Sequence, residues 1–191
     1  MKTSLFQVQK EIAMKRLREA REKAEVDSII LPLLDYINSL PDFYTTSSCS
    51  GRVTLFHDLG SKLESGWLGK WHRPVKFREI KDAMEEPPSG GIVWFLYEPA
   101  IIHVVSRELG GAVNLLKIAR ESGFKRVGIQ SCKRERILVE ICSTERIDAP
   151  VANEGVILVD EGYIKYLINL ANDRYKRGQD KLRRLEENLK I

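Results

Sequence analysis

The stretch IVWFLYEPAIIHVV, residues 92–105, predicts two β-strands, over 92–97 and 101–105, separated by Glu98-Pro99. Both runs are rich in β-branched and aromatic residues and are bounded by turn residues, which is the pattern of strands. Pro99 fixes its own φ angle and so favours the turn. Strands that follow one another so closely favour an α+β fold with a mixed or antiparallel sheet over a regular alternation of strands and helices.

Further elements are predicted on both sides of this stretch. Strands are predicted at 44–47, 53–57, 67–73, 126–131 and 136–143. Short helices are predicted over 77–86 and 108–122. The N-terminal region, 5–40, has the apolar spacing of two helices, and the first of them is expected to bury Leu5, Val8, Ile12, Leu17, Ala20 and Ala24 on one face. Either Asp27 or Ser28 is expected to cap the second.

The element order predicts an α+β fold, with a mixed or antiparallel central sheet flanked by helices. The chain is interpreted as a single domain, 1–191, whose N-terminal helices (5–40) and long C-terminal helix (161–190) pack on a central core, 44–157. The order of elements in 44–97 and 101–143 is consistent with an internal structural duplication. At about 1.5 Å per residue the last helix reaches roughly 45 Å, so its C-terminal turns are expected to project or to pack on a neighbour.

Composition predicts a folded protein with a mild preference for anionic partners. Of the 191 residues 43% are hydrophobic and 30% are charged, and the net charge is +4. Basic residues cluster between Lys62 and Lys81 and again between Lys125 and Arg136. Each cluster fits a nucleic-acid contact or an ordinary solvated surface.

The cysteine pattern and the apolar runs predict a cytoplasmic protein without a membrane segment. Cys49, Cys132 and Cys142 are widely spaced, and neither a disulfide framework nor a zinc pattern is evident, so no metal site is expected. The N-terminus lacks the apolar region of a secretory signal. The longest apolar runs, such as 29–34, are too short to cross a bilayer.

The most unusual motif is Thr-Thr-Ser-Ser-Cys-Ser-Gly-Arg, residues 45–52. Hydroxyl groups, backbone amides and Arg52 at one turn can bind phosphate or carboxylate oxygens. The alternative is a polar hairpin without a ligand, because Ser, Thr and Gly are ordinary turn residues. Cys49 is open to two interpretations, as a nucleophile or as a residue that lines the site.

A second candidate site follows the central strand, where Glu98 precedes His103 by one short strand connection. The two side chains can line one cleft, although a histidine between apolar neighbours can equally be a core residue. Trp71 lies inside the first basic cluster, where an aromatic ring suits base stacking. The chain contains no GxGxxG, Walker or HExxH motif, so a standard nucleotide site has no support.

The motif at 45–52 resembles the signature of the wybutosine-synthesis methyltransferases, the third protein of that tRNA pathway. Further blocks agree in order and spacing across nearly the whole chain: Val26-Asp27, Phe95, Glu98-Pro99, His103-Val104, Glu121–Phe124, Gly128-Ile129, Ser143-Thr144, Pro150, Tyr163-Ile164 and Asn169–Asn172. The stretch Gly69–Arg73 is shorter than the corresponding family segment, so no role is assigned to His72.

The resemblance implies methyl transfer from S-adenosylmethionine to the N-4 position of the 7-aminocarboxypropyl-demethylwyosine base, next to the anticodon of phenylalanine tRNA. It also implies a fold other than the doubly wound methyltransferase fold. Glu98 and His103 are the candidate catalytic bases. The residues expected to bind cofactor or substrate are Ser47, Ser48, Cys49, Ser50, Gly51 and Arg52. Those expected to contact tRNA, at its anticodon stem-loop, are Lys70, Trp71, Arg73, Lys133 and Arg134.

Two other functions stay open at this point. A tRNA-binding accessory module without catalysis would share the basic clusters but would not bind the methyl donor. A small-molecule enzyme would use the anion site for a phosphorylated metabolite and would not retain RNA. No oligomeric state is predicted.

Overall fold

The computed structural model describes residues 4–61 and 63–190; Lys62, at the start of the first basic cluster, lies outside them. The helices are α1 (Leu5–Glu22), α2 (Leu31–Ser39), α3 (Phe77–Ala83), α4 (Leu109–Glu121) and α5 (Glu161–Leu189), and a 3-10 turn, Ser28–Ile30, precedes α2. The strands are β1 (Phe43–Cys49), β2 (Arg52–Asp58), β3 (Gly66–Trp71), β4 (Ile92–Glu98), β5 (Ile101–Ser106), β6 (Arg126–Lys133), β7 (Arg136–Cys142), β8 (Ile147–Asn153) and β9 (Val156–Ile157). Across the described ranges, no helix combines the length and the apolar character that crossing a membrane requires.

The strands form two antiparallel sheets, in the orders β1-β5-β7-β6 and β3-β2-β4-β8-β9. The α+β class and the antiparallel pairing are therefore confirmed. The strands are divided between two sheets, however, and the hairpin alternative for residues 45–52 is wrong. β1 pairs with β5, whereas β2 pairs with β3 and β4.

The chain forms two compact units. The first contains the residues up to Ser50, Ala100–Thr144 and the residues from Gln179; the second contains Gly51–Pro99 and Glu145–Gly178. The chain passes from one unit to the other after Ser50 and after Pro99, and local residues explain both places. Gly51 has a φ of 102°, a backbone conformation that residues with a Cβ rarely adopt, so it ends the extended chain after β1. Pro99 has no N–H for a strand ladder, so it separates β4 from β5. The single domain over 1–191 stays a prediction.

The core of the first unit covers one face of the four-stranded sheet. Ile102, Val104, Val139 and Ile141 are buried there, and α2 and α4 cover them with apolar side chains from every turn. Two leucines of α5, Leu182 and Leu185, belong to the same core. The last turns of α5 were predicted to project or to pack on a neighbour, and this was wrong for Leu182 and Leu185, which are buried inside the chain's own core.

Helix α1 is held by a different residue from the predicted apolar face. Phe6 is fully buried, and its ring lies 5.2 Å from that of Tyr44 on β1. Leu5, Val8 and Ile12 are 62%, 41% and 48% exposed, so the predicted buried face was wrong for these three residues. Phe6 lies on another side of the helix from Leu5 and Val8, since residues one or two apart do not share a face.

The core of the second unit lies between its five-stranded sheet and α5. Leu55, Phe95 and Tyr97 are buried on the strands, and Leu167 and Ala171 are buried on the helix. Strands β8 and β9 were not predicted. Pro150 interrupts the ladder pattern of β8 and normally argues against a central strand, but β9 pairs only with Ala152 and Asn153, so no neighbour there needs the missing N–H.

Replacing Gly69 by alanine is expected to lower the free energy of unfolding by about 1–3 kcal/mol. A Cβ at Gly69, in β3, would lie 2.1 Å from Cη2 of Trp71, so the indole or the strand must move. Gly66→Ala, in the same strand, is the matched control because a Cβ there meets nothing within 4 Å. Urea unfolding of both variants measures the difference, and equal stabilities would show that the ring adjusts without cost.

Candidate active site

A hydrogen-bonded row of three side chains crosses β1, β5 and β7 in the first unit. Ser47 lies opposite His103, and His103 lies opposite Glu140. Ser47 Oγ is 2.9 Å from His103 Nδ1, and His103 Nε2 is 3.2 Å from Glu140 Oε2. An irregularity in β1 between Thr45 and Ser47 sets this register. A hydroxyl hydrogen-bonded to an imidazole, which is hydrogen-bonded in turn to a carboxylate, is the arrangement that orients a histidine for proton transfer.

The row is partly open to solvent at one end and anchored at the other. Ser47 is exposed, whereas the side chains of His103 and Glu140 are 25% and 16% exposed. Arg126 on β6 is 3.4 Å from the second oxygen of the Glu140 carboxylate. The carboxylate thus contacts an imidazole on one side and a guanidinium on the other. With a quarter of its side chain exposed, His103 is not enclosed in the core, and its role in a site stays a prediction.

A groove of about 470 Å³ lies between α1 and β1 in the first unit. We call it the α1–β1 groove; one wall is Tyr44–Ser48, and the opposite wall includes Ile12, Arg16 and Leu17 of α1. Arg136 of β7 also lines it. Its volume lies in the range of small-molecule sites. Since Ser47 lines the groove, a bound molecule there contacts the exposed end of the hydroxyl–imidazole–carboxylate row.

Ser50, predicted to bind a ligand, is buried and serves to hold the backbone. Its N–H and its hydroxyl both donate to Asp27 Oδ2, at 2.8 and 2.7 Å, and its carbonyl accepts from Gln179 Nε2 at 2.8 Å. Asp27 precedes the 3-10 turn without a side-chain cap, and the residue before α2 is Ile30, so the prediction that Asp27 or Ser28 caps this helix was wrong. Ser48 lines the groove, and Cys49 is a reduced cysteine of intermediate exposure.

The second unit contains a separate charged pair, Arg52 and Glu98, at directly paired positions of β2 and β4. Arg52 Nε donates to Glu98 Oε2 at 2.5 Å. The guanidinium carbon lies 5.1 Å from the ring centroid of Trp67, which is 45% exposed on β3. Phe56 supports this indole from 4.8 Å. The sequence predicted the arginine and the glutamate, and the structure adds an exposed aromatic surface beside them.

The predicted site residues are therefore shared between the units. Ser47, Ser48, Cys49, Ser50 and His103 belong to the first, and Gly51, Arg52 and Glu98 belong to the second. Glu140 and Trp67 were missed as site residues. A signal for Glu140 was available, since it is an acidic residue between Val139 and Ile141 on a predicted strand. Its partner is 37 positions away in the chain, however, and only the register of β5 and β7 reveals it.

The residues predicted to contact tRNA differ in how they are presented. Lys133 and Arg134 are exposed at the β6–β7 hairpin, and Lys70 is exposed on β3. Arg73 forms a two-point ion pair with Glu79, at 3.1 and 2.5 Å. Hydrogen bonds from the Arg73 side chain and from the Lys76 backbone lower the pKa of Glu79 to about 2. Trp71 packs on the core of the second unit, which leaves less of its ring for a base.

Comparison with known proteins places the chain in a family. The family model Methyltransferase TYW3 matches residues 7–191. A relative from Thermococcus kodakarensis, named tRNA(Phe) 7-((3-amino-3-carboxypropyl)-4-demethylwyosine(37)-N(4))-methyltransferase 1, is 46% identical, with 98% of this chain and 95% of the relative covered. A relative of the same activity name from Thermococcus sibiricus is 44% identical, with 96% and 94% covered.

Solved structures agree with this assignment. The PH1069 protein from Pyrococcus horikoshii superposes with a TM-score of 0.91 at 40% identity, covering 97% of this chain and 94% of that one. A protein from Aeropyrum pernix superposes with a TM-score of 0.73 at 26% identity, covering 86% of this chain and all of that one. From the family match over residues 7–191 and the near full-length identity to its relatives, we conclude that the chain belongs to the Methyltransferase TYW3 family.

Proposed function

We propose that this chain is a tRNA methyltransferase that transfers a methyl group from S-adenosylmethionine to N-4 of the 7-(3-amino-3-carboxypropyl)-4-demethylwyosine base. The base lies next to the anticodon of phenylalanine tRNA. The relatives named for this reaction match almost the full chain, which supports the reaction and the RNA. The observation that carries the mechanism is the row Ser47–His103–Glu140.

The partners of His103 define its protonation. A carboxylate is a hydrogen-bond acceptor, so the nitrogen that faces Glu140, Nε2, carries the proton. Nδ1 of the neutral ring is then an acceptor, and the Ser47 hydroxyl donates to it. This tautomer leaves the exposed end of the row able to receive a proton. Glu140 stabilises the imidazolium that results.

The substrate nitrogen must lose a proton when it gains a methyl group. Its lone pair forms the new N–C bond, and its proton passes to Ser47 Oγ while the serine proton passes to His103 Nδ1. When bound, S-adenosylmethionine supplies an activated methyl group, whose bond to sulfur breaks with the electron pair left on sulfur. The protein therefore contributes mainly orientation, exclusion of water and a proton acceptor.

Glu98 is less suited than His103 to the role of base. Its carboxylate already accepts a hydrogen bond from Arg52, so a guanidinium occupies the oxygen that would have to accept the substrate proton. We assign Arg52 and Glu98, with Trp67, to the methyl donor. The chemistry of these groups fits it, since a guanidinium binds carboxylate, a carboxylate binds ammonium, and an exposed indole stacks on adenine.

Each unit presents exposed basic residues that suit contacts to RNA. We propose that Lys133 and Arg134 contact the backbone of the anticodon stem-loop from the first unit, and that Lys70 does so from the second. Phosphate contacts of this kind weaken with salt because they release condensed counterions. Arg73 and Trp71 are retained as proposed contacts, with the ion pair to Glu79 and the core packing of the indole as competing interactions.

The reaction is tested with the purified full chain, S-adenosylmethionine and phenylalanine tRNA that carries the aminocarboxypropyl-demethylwyosine base. Mass spectrometry of the digested nucleosides is expected to show one added methyl group, at N-4. The same tRNA with unmodified guanosine at this position is the control and should gain none. Retention of the tRNA without methyl transfer would overturn the proposal and would favour an accessory module.

A further inference from the structure

The charged side chains that line the α1–β1 groove are all basic. Among the described residues that line it are two arginines, Arg16 and Arg136, and none is acidic. Thr46, Ser47 and Ser48 of β1 line the same space, whereas the Thr45 hydroxyl is hydrogen-bonded to Asn38. Two guanidinium groups suit a carboxylate, and serine hydroxyl oxygens can accept hydrogen bonds from an ammonium group, so the groove is complementary to both charged groups of an amino acid.

Arg136 is held at the wall of this groove. Its guanidinium interacts with the hydroxyl of Tyr44, whose pKa is raised by burial and lowered in part by this positive charge. The same hydroxyl donates to Gln9 Oε1 at 3.2 Å on α1. Tyr44 therefore orients the arginine side chain beside β1, while Arg16 approaches from the exposed side of α1.

Apart from Gln9 and Arg16, the opposite wall of the groove is apolar. Ile12, Ala13, Leu17 and Ala20 present methyl and methylene groups from α1. Ile12 is 48% exposed, so part of this wall is open to a ligand. Apolar area of this kind gains free energy when it covers a methylene chain. The groove thus fits a short aliphatic chain that ends in a carboxylate, attached to a larger body.

We propose that the α1–β1 groove binds the 3-amino-3-carboxypropyl side chain of the target base, with Arg136 and Arg16 as the carboxylate ligands. This inference rests on the proposed function. S-adenosylmethionine contains the same amino-acid group, but the position of Ser47 favours the base as the occupant. Ser47 lines the groove and is hydrogen-bonded to His103, and the proton that the row receives comes from the base and not from the methyl donor.

The proposal predicts a selective loss of affinity in Arg136→Met. The probes are two forms of phenylalanine tRNA, one with the aminocarboxypropyl-demethylwyosine base and one with the same base without the side chain. Removal of a charge-assisted contact is expected to weaken binding of the first tRNA by about 10- to 100-fold. Binding of the second tRNA and of S-adenosylmethionine should change by less than about twofold, because neither uses the arginine in this account.

Arg134→Met is the matched control, since Arg134 lies in the same hairpin but outside the groove. A contact to the RNA backbone predicts an equal, salt-dependent loss for both tRNAs in this variant. The groove proposal is overturned if Arg136→Met weakens both tRNAs equally, or if it weakens S-adenosylmethionine alone. These are binding measurements, so either result leaves the methyl-transfer assay on the wild-type chain free to support or contradict the proposed function.

Discussion

Replacing His103 by alanine is expected to lower kcat for methyl transfer by about 10²- to 10⁴-fold, the usual contribution of a positioned proton acceptor. The imidazole is the only group of the row that can hold the transferred proton near neutral pH. KM for tRNA should change little, because His103 contacts the substrate through Ser47. Single-turnover kinetics with saturating S-adenosylmethionine measure the chemical step without product release.

His57→Ala is the matched control for this variant. His57 also lies on a strand, in the second unit, and its Nε2 is 2.7 Å from the carbonyl of Gly90. It has no part in the proposed chemistry, so its variant should retain near-normal kcat. Glu140→Gln separates orientation from folding, since it should lower kcat, leave KM unchanged and preserve the unfolding midpoint. A His103→Ala enzyme with wild-type kcat would remove the histidine from the mechanism.

Replacing Arg52 by alanine is expected to raise KM for S-adenosylmethionine by about 10- to 100-fold. The change removes a proposed ligand of the donor carboxylate and also leaves Glu98, with 25% of its side chain exposed, without this guanidinium. Affinity for tRNA should fall far less. Isothermal titration calorimetry with S-adenosylmethionine measures the loss directly.

Arg78→Ala provides the control. The Arg78 side chain is 90% exposed on α3, and its ion pair with Asp82 is loose, with Nε 3.8 Å from Oδ2. Surface pairs of this type contribute little, so donor affinity should stay at the wild-type value. Glu98→Gln adds a second comparison, since it should lower the affinity for S-adenosylmethionine but leave the pH dependence of kcat unchanged. If Glu98→Gln changes the pH dependence of kcat, the role of base returns to Glu98. If Arg52→Ala binds S-adenosylmethionine normally, Arg52 is excluded as a ligand of the donor carboxylate.

Local sequence patterns were sufficient to predict most of the helices and strands. The alternation of β-branched and aromatic residues in 92–105 predicted β4 and β5, and their observed ends differ by one residue from the predicted ones. The division into two sheets was not predicted. It depends on which strands pair, and pairing involves residues far apart in the chain, such as Phe43 with Ser106. Short-range propensity does not contain that information.

The missed elements have specific causes. β8 contains Pro150 and Asp148, both of which are disfavoured in strands, and tertiary pairing with β4 outweighs them. The apolar residues of α1 suggested a buried face, but one aromatic anchor, Phe6, holds the helix. The helix predicted over 77–86 ends earlier, at Ala83.

The candidate site was predicted as a set of residue types more successfully than as a geometry. Ser47 and His103 form a direct contact, as do Arg52 and Glu98, so both pairs came from the predicted set. Ser50 illustrates the limit, since its hydroxyl stabilises the backbone through Asp27. A polar residue in a motif can bind a ligand or hold the loop that binds it, and only its hydrogen-bond partners distinguish these roles.

The tautomer of His103 tests the central claim most directly. With uniformly ¹⁵N-labelled protein at pH 8, long-range ¹H–¹⁵N correlation spectra of the imidazole report which ring nitrogen carries the proton. The hydrogen-bonded row predicts a proton on Nε2, facing Glu140, and an unprotonated Nδ1 that accepts from Ser47. A proton on Nδ1 instead would leave the ring unable to receive the serine proton, and the proposed path for the substrate proton would be contradicted.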